Sequence, residues 1–213
     1  MNRIAVIDYG MGNLRSVEKA VEHVAGAGTR VEVTSDPSVV AAADRVVFPG
    51  QGAMPDCMRE LELRGLRPAV LEAAARKPFL GICIGQQMLF DHSQEGDVAG
   101  LGVFAGEVRR FPDAAMHTPD GHRLKVPHMG WNRVRQAKPH ALWAGIEDDA
   151  RFYFVHSYYV DPRDADLVAG TTGYGLSFTS AVARANIFAV QFHPEKSAEA
   201  GLQLLRNFLA WQP

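Results

Sequence analysis

One of the two cysteines in the chain, Cys83, lies in the sequence Gly-Ile-Cys-Ile-Gly, between an apolar run and a helix-forming segment. A strand that turns sharply into a helix strains the residue at the turn and exposes its side chain, provided that the neighbours are small. The helix that follows directs its N-terminus at the thiol and favours the thiolate. Cys83 is therefore a candidate nucleophile, although a buried structural cysteine explains these residues alone equally well.

A thiol nucleophile needs a base, and His193 is the best candidate among eight histidines. It follows an apolar run and precedes Glu195 by two residues. In an extended segment residues i and i+2 project to the same side, so Glu195 can hold one ring nitrogen while the other faces a thiol. Five further histidines in helical or loop patterns are interpreted as solvated: His23, His92, His117, His122 and His140.

Glycine-rich loops follow two of the predicted strands. Gly50 and Gly52 flank Gln51 after the third strand, and such a backbone can turn its N–H groups toward a negative charge that develops on oxygen. An ordinary turn or a phosphate loop is the alternative. Residues 8–13 form a similar loop after the first strand. Because parallel strands end at one edge of a sheet, we expect both loops to converge on Cys83.

The elements that must position these residues alternate in the first half of the chain. The apolar patterns predict strands at residues 4–8, 30–34, 45–48 and 78–82. They predict helices from residue 14 to the glycines at 26 and 28, over 36–44 with Asp36 as cap, and over 54–63, 68–75 and 84–90. This order is typical of a parallel sheet with helices on its faces.

From Gly102 onward the pattern changes to strands joined by short turns, which predicts an antiparallel section. The strand-like segments are residues 102–111, 125–136, 151–161 and 177–192. The polar segment 113–123 is interpreted as a hairpin loop. A last helix is expected to begin at Ser197 as its cap, with Leu202, Leu205, Phe208 and Leu209 on its apolar face. We therefore expect an α/β protein with a single domain over residues 1–213.

The composition is that of an ordinary globular protein. The chain has 213 residues, of which 47% are hydrophobic and 22% charged, and its net charge is −2. These values favour neither a nucleic-acid nor a membrane partner, and no metal or cofactor is predicted. The N-terminal apolar run is too short for a signal peptide, so we expect a cytoplasmic protein in which Cys57 and Cys83 are free thiols.

Three motifs together resemble the signature of the class I glutamine amidotransferases, which use a Cys-His-Glu triad. They are PGQG at 49–52, GICIGQQ at 81–87 and QFHPE at 191–195, and they occur in the family's order along the whole chain. The resemblance implies a three-layer α/β fold, with a parallel or mixed central sheet flanked by helices and an added antiparallel section in the second half. It also implies a triad of Cys83, His193 and Glu195 that needs no cofactor.

The resemblance further implies that Cys83 attacks the side-chain amide of L-glutamine and forms a thioester. The oxyanion would be held by backbone N–H groups of Ile84 and of Gly50, Gln51 and Gly52. Substrate binding is assigned by the same resemblance to Gln87 and to the backbone of His156, Ser157 and Tyr158.

Four segments resemble more closely the branch of the family that acts in histidine biosynthesis: residues 8–17, 127–132, 154–159 and 191–197. Members of that branch pass ammonia to a separate (β/α)8-barrel cyclase subunit. The resemblance therefore implies a heterodimer, with Asn13, Met129, Trp131 and Lys196 as candidates for its interface. Without the resemblance, a core tryptophan in a strand turn is the better interpretation of Trp131.

Two alternatives remain open. One keeps the fold and the triad but serves another pathway, as the glutaminase of pyridoxal phosphate synthase, of anthranilate synthase or of a nucleotide synthetase. The other is a non-catalytic, flavodoxin-like module in which Cys83 is structural. The PHMGWN and YGMGN segments favour the histidine branch over the first alternative, and the coincidence of three motifs argues against the second.

Overall fold

The computed structural model describes residues 2–118 and 120–213. Met1, and Pro119 within the predicted hairpin loop 113–123, lie outside the described residues. The strands are β1 (Asn2–Ile7), β2 (Thr29–Thr34), β3 (Arg45–Gly50), β4 (Phe79–Cys83), β5 (Phe90–Ser93), β6 (Val98–Ala99), β7 (Phe104–Arg110), β8 (His128–Gln136), β9 (Ala150–His156), β10 (Tyr158–Pro162), β11 (Val168–Tyr174), β12 (Leu176–Arg184) and β13 (Ile187–Val190). The α-helices are α1 (Leu14–Val24), α2 (Pro37–Ala42), α3 (Met54–Leu63), α4 (Arg67–Arg76), α5 (Ile84–Gln87) and α6 (Ala198–Ala210).

Half of the sheet is parallel, as the alternating pattern predicts. Its strands lie side by side in the order β2-β1-β3-β4-β13, and each neighbouring pair is parallel. β3 and β4 are buried along their whole length, which is why they read as continuous apolar runs. The carboxyl ends of β1, β3 and β4 therefore meet at one edge of the sheet.

One helix of this half, α2, begins at the capping residue that the sequence predicts. The Asp36 side chain accepts a hydrogen bond of 2.7 Å from the Ser38 amide at the start of α2. α1 presents Val17 and Val21 to the core and ends before Gly26. Among the described residues, no helix is long and apolar enough to cross a membrane.

The second half of the sheet is mainly antiparallel. β13, β12, β10 and β7 pair in that order with alternating direction, and β11, β8 and β9 extend the sheet from β12. An antiparallel bridge between His117 and Arg123 closes the predicted hairpin. Two strand pairs are exceptions, since β13 pairs with β4 and β5 pairs with β7 in parallel.

The helix predicted over residues 84–90 is wrong in its length. α5 ends at Gln87 after a single turn, and the chain resumes as β5 at Phe90. The Phe90 ring packs against Phe104 on β7, with 5.6 Å between ring centroids. Pairing of β5 with β7 therefore overrides the helical propensity of these residues.

Two side chains in the second half differ from their predicted roles. Ser197 stands at the start of α6, but its hydroxyl does not cap the helix, because it donates to the His193 carbonyl at 2.6 Å. His140 is half-buried and not, as predicted, a fully solvated side chain. Its ring packs on Phe188 and Trp211, and burial lowers its pKa to about 4.

The predicted apolar face of α6 is only partly correct. Leu205 and Phe208 are buried, as expected, whereas Leu202 and Leu209 are half-buried. Leu204, which was not in the predicted face, is buried with them. The face that packs on the sheet is therefore turned slightly from the predicted one.

Candidate active site

Cys83 lies at the sharp turn between β4 and α5. Its φ of 56° and ψ of −113° place it in a region that residues with a side chain rarely adopt, at a cost of about 1–3 kcal/mol. The flanking glycines are required by space. A Cβ atom on Gly81 would lie 2.9 Å from Ala189 Cβ, and one on Gly85 would collide with the carbonyl oxygen of Phe48. The predicted elbow is confirmed.

The predicted pair of His193 and Glu195 forms in the structure. Nδ1 of His193 lies 2.8 Å from Oε1 of Glu195, and the two side chains are 6% and 2% exposed. Burial by itself lowers the pKa of His193, but the interactions with the Cys83 sulfur and the Glu195 carboxylate raise it to about 10. A pKa raised in this direction favours the imidazolium form of His193.

Backbone contacts hold this pair in place. The His193 amide donates to the Tyr153 carbonyl on β9 at 2.9 Å, and the Tyr153 amide donates to Ser197 Oγ at the same distance. A Cβ atom on Gly201 would collide with the Pro194 carbonyl, so α6 lies directly against the turn. The imidazole therefore has a fixed position at the sheet edge.

Cys83 and His193 open onto one cavity of about 310 Å³. Most of the predicted site residues line it, together with three others. The lining residues are Gln51, Gly52, Cys83, Ile84, Gln87, Glu95, Pro127, Val155, His156, Ser157, Tyr158 and His193. Gly50 and Glu195 do not line the cavity but contact residues that do. Gly50 is paired with Cys83 in the parallel sheet, and Glu195 is hydrogen-bonded to His193.

The two glycine-rich loops meet, as predicted. A Cβ atom on Gly12 would lie 3.7 Å from the Gln51 amide nitrogen, and one on Gly52 would lie 2.8 Å from Met11 Cε. The Cys57 thiol lies 3.7 Å from the Gln51 carbonyl, to which it donates. Burial raises the pKa of Cys57 to about 11, so this side chain remains a neutral thiol.

Gln87 lies one helical turn after Cys83, and its amide is held on one side only. Nε2 donates to the Tyr158 carbonyl at 3.2 Å and to Gln191 Oε1 at 2.9 Å. Oε1 is buried and has no partner among the described residues. The Gln87 amide is therefore oriented by its two donor contacts, which leave the buried oxygen without a hydrogen bond.

Sequence reasoning missed two polar residues of the site. Gln191 is fully buried, and its Nε2 donates to Cys83 Sγ at 3.7 Å. Its place two residues before His193 on the same strand end is a signal that would have found it. Glu95 lies in a polar turn without a distinctive pattern. Its carboxylate accepts from the Met54 amide at 2.8 Å and lines the cavity.

The candidate interface residues are exposed to different degrees. Met129 is 62% and Trp131 is 44% exposed on β8, so the interpretation of Trp131 as a core residue is wrong. Trp131 pairs with Tyr153, whose backbone binds the turn that carries Lys196. Asn13 is exposed at the start of α1, which packs against that turn.

A family model for class I glutamine amidotransferases matches residues 5–211, which is nearly the whole chain. The chain belongs to the class I glutamine amidotransferase family. As a member of this family it is a glutaminase. The predicted α/β fold class is confirmed.

Two relatives within the class I amidotransferases are similar along their full length. The imidazole glycerol phosphate synthase subunit HisH of Dechloromonas aromatica (strain RCB) is 74% identical over 99% of this chain and 97% of the relative. The protein of the same name from Aromatoleum aromaticum is 73% identical over 100% of both chains.

Solved structures share the fold at much lower sequence identity. A crystal structure of a glutamine amidotransferase aligns with a TM-score of 0.72 at 16% identity, over 97% of both chains. The structure of PurLQS from Thermotoga maritima aligns with a TM-score of 0.71 at 17% identity, over 98% of both chains. At that identity the likeness concerns the architecture of the sheet and its helices.

Proposed function

We propose that this chain is the glutaminase subunit of an imidazole glycerol phosphate synthase. It hydrolyses L-glutamine to L-glutamate and ammonia and passes the ammonia to a partner subunit. The observation that carries the chemistry is the strained Cys83 facing a buried His193–Glu195 pair across one cavity. The pathway is supported by the HisH relatives, at 74% and 73% identity over the whole chain.

The first step is attack on the substrate amide. The Cys83 thiolate forms a bond to the side-chain carbonyl carbon of glutamine, and the carbonyl electron pair moves onto oxygen. Backbone N–H groups of Ile84 and of the loop 50–52 stabilise this oxyanion, a contribution that is often the largest in acyl transfer. The Gln191 amide, which donates to the sulfur, supports the thiolate before the attack.

The second step expels ammonia. The oxyanion collapses, the C–N bond breaks and His193 gives the proton on Nε2 to the departing nitrogen, which leaves a thioester on Cys83. Glu195 holds Nδ1, so the other ring nitrogen faces the sulfur. The neutral His193 then takes a proton from water, which attacks the thioester. Glutamate is released, and the thiolate–imidazolium pair is restored.

The cavity offers complementary groups for the two ends of glutamine. The carboxylate of Glu95 is the proposed acceptor for the α-ammonium group. Among the described lining residues Glu95 is the one carboxylate, so the single positive charge of the substrate has a single partner. The backbone at Ser157 and Tyr158 is proposed to bind the α-carboxylate.

Ammonia released into neutral water is protonated and ceases to be a nucleophile. We therefore propose that a (β/α)8-barrel cyclase subunit covers this site in a heterodimer and uses the ammonia to make imidazole glycerol phosphate and aminoimidazole carboxamide ribotide. Met129 and Trp131, large apolar side chains exposed on one strand, are the proposed anchors of that interface, with Asn13 and Lys196 at its edge.

Reconstitution with the cognate cyclase subunit tests this function. The mixture is expected to form imidazole glycerol phosphate with glutamine as nitrogen source, and Trp131→Ala is expected to weaken association by about 10-fold or more. Leu63→Ala is the matched control, because Leu63 is 73% exposed on α3 and belongs to no proposed contact. A complex that uses ammonium salts but never glutamine would refute the proposal.

A further inference from the structure

Two buried histidines next to the cavity are hydrogen-bonded to each other. His128 on β8 and His156 on β9 are register partners, and Nδ1 of His128 lies 2.8 Å from Nε2 of His156. The residues are 4% and 6% exposed. When both rings are neutral, one nitrogen must donate and the other accept, so this bond couples the tautomers of the two rings.

The direction of the bond is set at its inner end. Nδ1 of His156 lies 2.7 Å from the carbonyl oxygen of Tyr158, which can only accept. Nδ1 therefore carries the proton of His156, and Nε2 is its acceptor. It follows that His128 donates through Nδ1 and has an acceptor at Nε2.

The outer end is set independently by Asn132. Its Nδ2 donates to the Gly173 carbonyl at 2.9 Å, and its Oδ1 accepts from the Arg133 amide at 2.8 Å. These two backbone partners allow only one orientation of the amide. The second hydrogen on Nδ2 points to Nε2 of His128 at 3.2 Å. Each of the three hydrogen bonds that link these groups therefore has its donor on the Asn132 side: Asn132 donates to His128, His128 donates to His156, and His156 donates to the Tyr158 carbonyl.

The inner end of this chain of hydrogen bonds shapes the cavity wall. β9 ends at His156 and β10 begins at Tyr158, so the His156 ring bridges the bend at Ser157. The same Tyr158 carbonyl accepts from Nε2 of Gln87 at 3.2 Å. In the other tautomer, the unprotonated Nδ1 of His156 would face the carbonyl oxygen with its lone pair, and the bend would lose its closing bond.

We propose that His128 is a positioning residue for glutamine binding. By donating to Nε2 of His156 it satisfies the acceptor of the tautomer that the Tyr158 carbonyl selects, and so stabilises the closed 156–158 bend that holds Gln87. His128 does not line the 310 Å³ cavity, so it acts through His156 and not on the substrate. This inference rests on the proposed function for its effect on glutamine, whereas the tautomer of His156 is a property of the fold.

Two substitutions at His128 separate hydrogen bonding from packing. The His128 ring stacks between Phe154 and Tyr174, with centroid distances of 4.9 and 4.0 Å. His128→Phe keeps an aromatic ring there and removes the donor. His128→Asn keeps an N–H at the position of Nδ1 and removes the ring. If His128 acts through its hydrogen bond, His128→Phe is the more impaired variant. If it acts through packing alone, His128→Asn is the more impaired.

The experiment measures glutamine kinetics of both variants in complex with the cyclase. We expect His128→Phe to raise the KM for glutamine about 10-fold at a nearly unchanged kcat, the loss typical of one unmet buried hydrogen bond. His128→Asn is expected to stay near the wild type, and ammonium-dependent synthesis is expected to be equal in all three proteins. If His128→Phe keeps the wild-type KM, or if His128→Asn is the more impaired, the proposal is wrong.

Nitrogen NMR of the His156 ring gives a test that does not need activity. We expect His156 to be protonated at Nδ1 in all three proteins, because the Tyr158 carbonyl accepts from that nitrogen in each of them. The Nε2 resonance is expected to show a hydrogen bond in the wild type and in His128→Asn, and to lose it in His128→Phe. An Nε2 resonance that is unchanged in His128→Phe overturns the inference even if the protein is an active glutaminase. A changed Nε2 resonance in a protein without glutaminase activity would instead refute the proposed function and retain the coupling of the rings.

Discussion

Gly50 and Cys83 lie opposite each other where the parallel strands β3 and β4 end. A Cβ atom on Gly50 would lie 2.8 Å from Ile84 Cβ and 2.9 Å from the Gly85 amide nitrogen, closer than such atoms approach in proteins. The loop after Gly50 can therefore lie against the nucleophile's turn only because residue 50 has no side chain. The proposed oxyanion donors depend on that close approach.

Gly50→Ala tests this dependence. We expect the added methyl group to push the loop away from Cys83 and to lower the glutamine-dependent kcat by about 100-fold or more, the effect of losing an oxyanion donor. Overpacking is also expected to reduce the free energy of unfolding by about 1–3 kcal/mol. Steady-state kinetics and urea unfolding measure the two effects.

Gly26→Ala is the control for that substitution. A Cβ atom on Gly26 has no neighbour within 4 Å, so activity and stability should both remain at the wild-type level. A Gly50→Ala protein that hydrolyses glutamine as fast as the wild type would show that the loop 50–52 does not hold the oxyanion.

Gln191→Leu tests the contact between the Gln191 amide and the Cys83 sulfur. The substitution keeps the size of the side chain, removes the N–H donor to sulfur and leaves one hydrogen of Gln87 without an acceptor. We expect the glutamine-dependent kcat/KM to fall by about 10-fold to 100-fold, on the scale of one or two buried hydrogen bonds. Unchanged kinetics would limit Gln191 to a structural role.

The neutral buried histidines predict an acid-sensitive fold. Burial lowers the pKa of His128 to about 4 and that of His156 to about 3, from 6.5 for both in a model compound. As pH falls below 6.5 the unfolded chain takes up these protons first. The contribution of the two neutral histidines to the free energy of unfolding is therefore complete above pH 6.5, and it is lost as the pH falls through 4 toward 3.

Urea unfolding over this pH range checks the prediction. The His128→Phe protein takes up one proton fewer on unfolding than the wild type. Its free energy of unfolding should therefore fall less steeply with decreasing pH, by up to about 1.4 kcal/mol per pH unit. Parallel slopes for the two proteins would mean that His128 titrates normally in the folded state.

The parallel half of the fold was predictable because its information is local. Continuous apolar runs mark strands that are buried on both faces, and Asp36 marks a helix start through its own side-chain bond. The elbow at Cys83 was readable for the same reason, since glycines at 81 and 85 are required by close contacts that the sequence pattern anticipates.

What the sequence could not predict depends on contacts between distant segments. The helix after Cys83 stops early because Phe90 packs against Phe104. Ser197 has the identity and position of a cap but binds the His193 carbonyl instead. The sequence around His140 predicts an exposed loop residue, but its ring packs against Phe188 and Trp211, which are distant in sequence. Glu95 reaches the cavity from a turn without any local signal of its role.

The roles in the proposed triad are tested most directly by replacing its nucleophile. Cys83→Ala, in complex with the cyclase subunit, is assayed with glutamine and separately with ammonium salts as the nitrogen source. Cys57→Ala is the matched control, since Cys57 is a buried thiol that stays protonated. We expect Cys83→Ala to lose glutamine-dependent synthesis and to keep ammonium-dependent synthesis, and Cys57→Ala to keep both. Glutamine-dependent synthesis that survives in Cys83→Ala would contradict the assignment of Cys83 as the nucleophile.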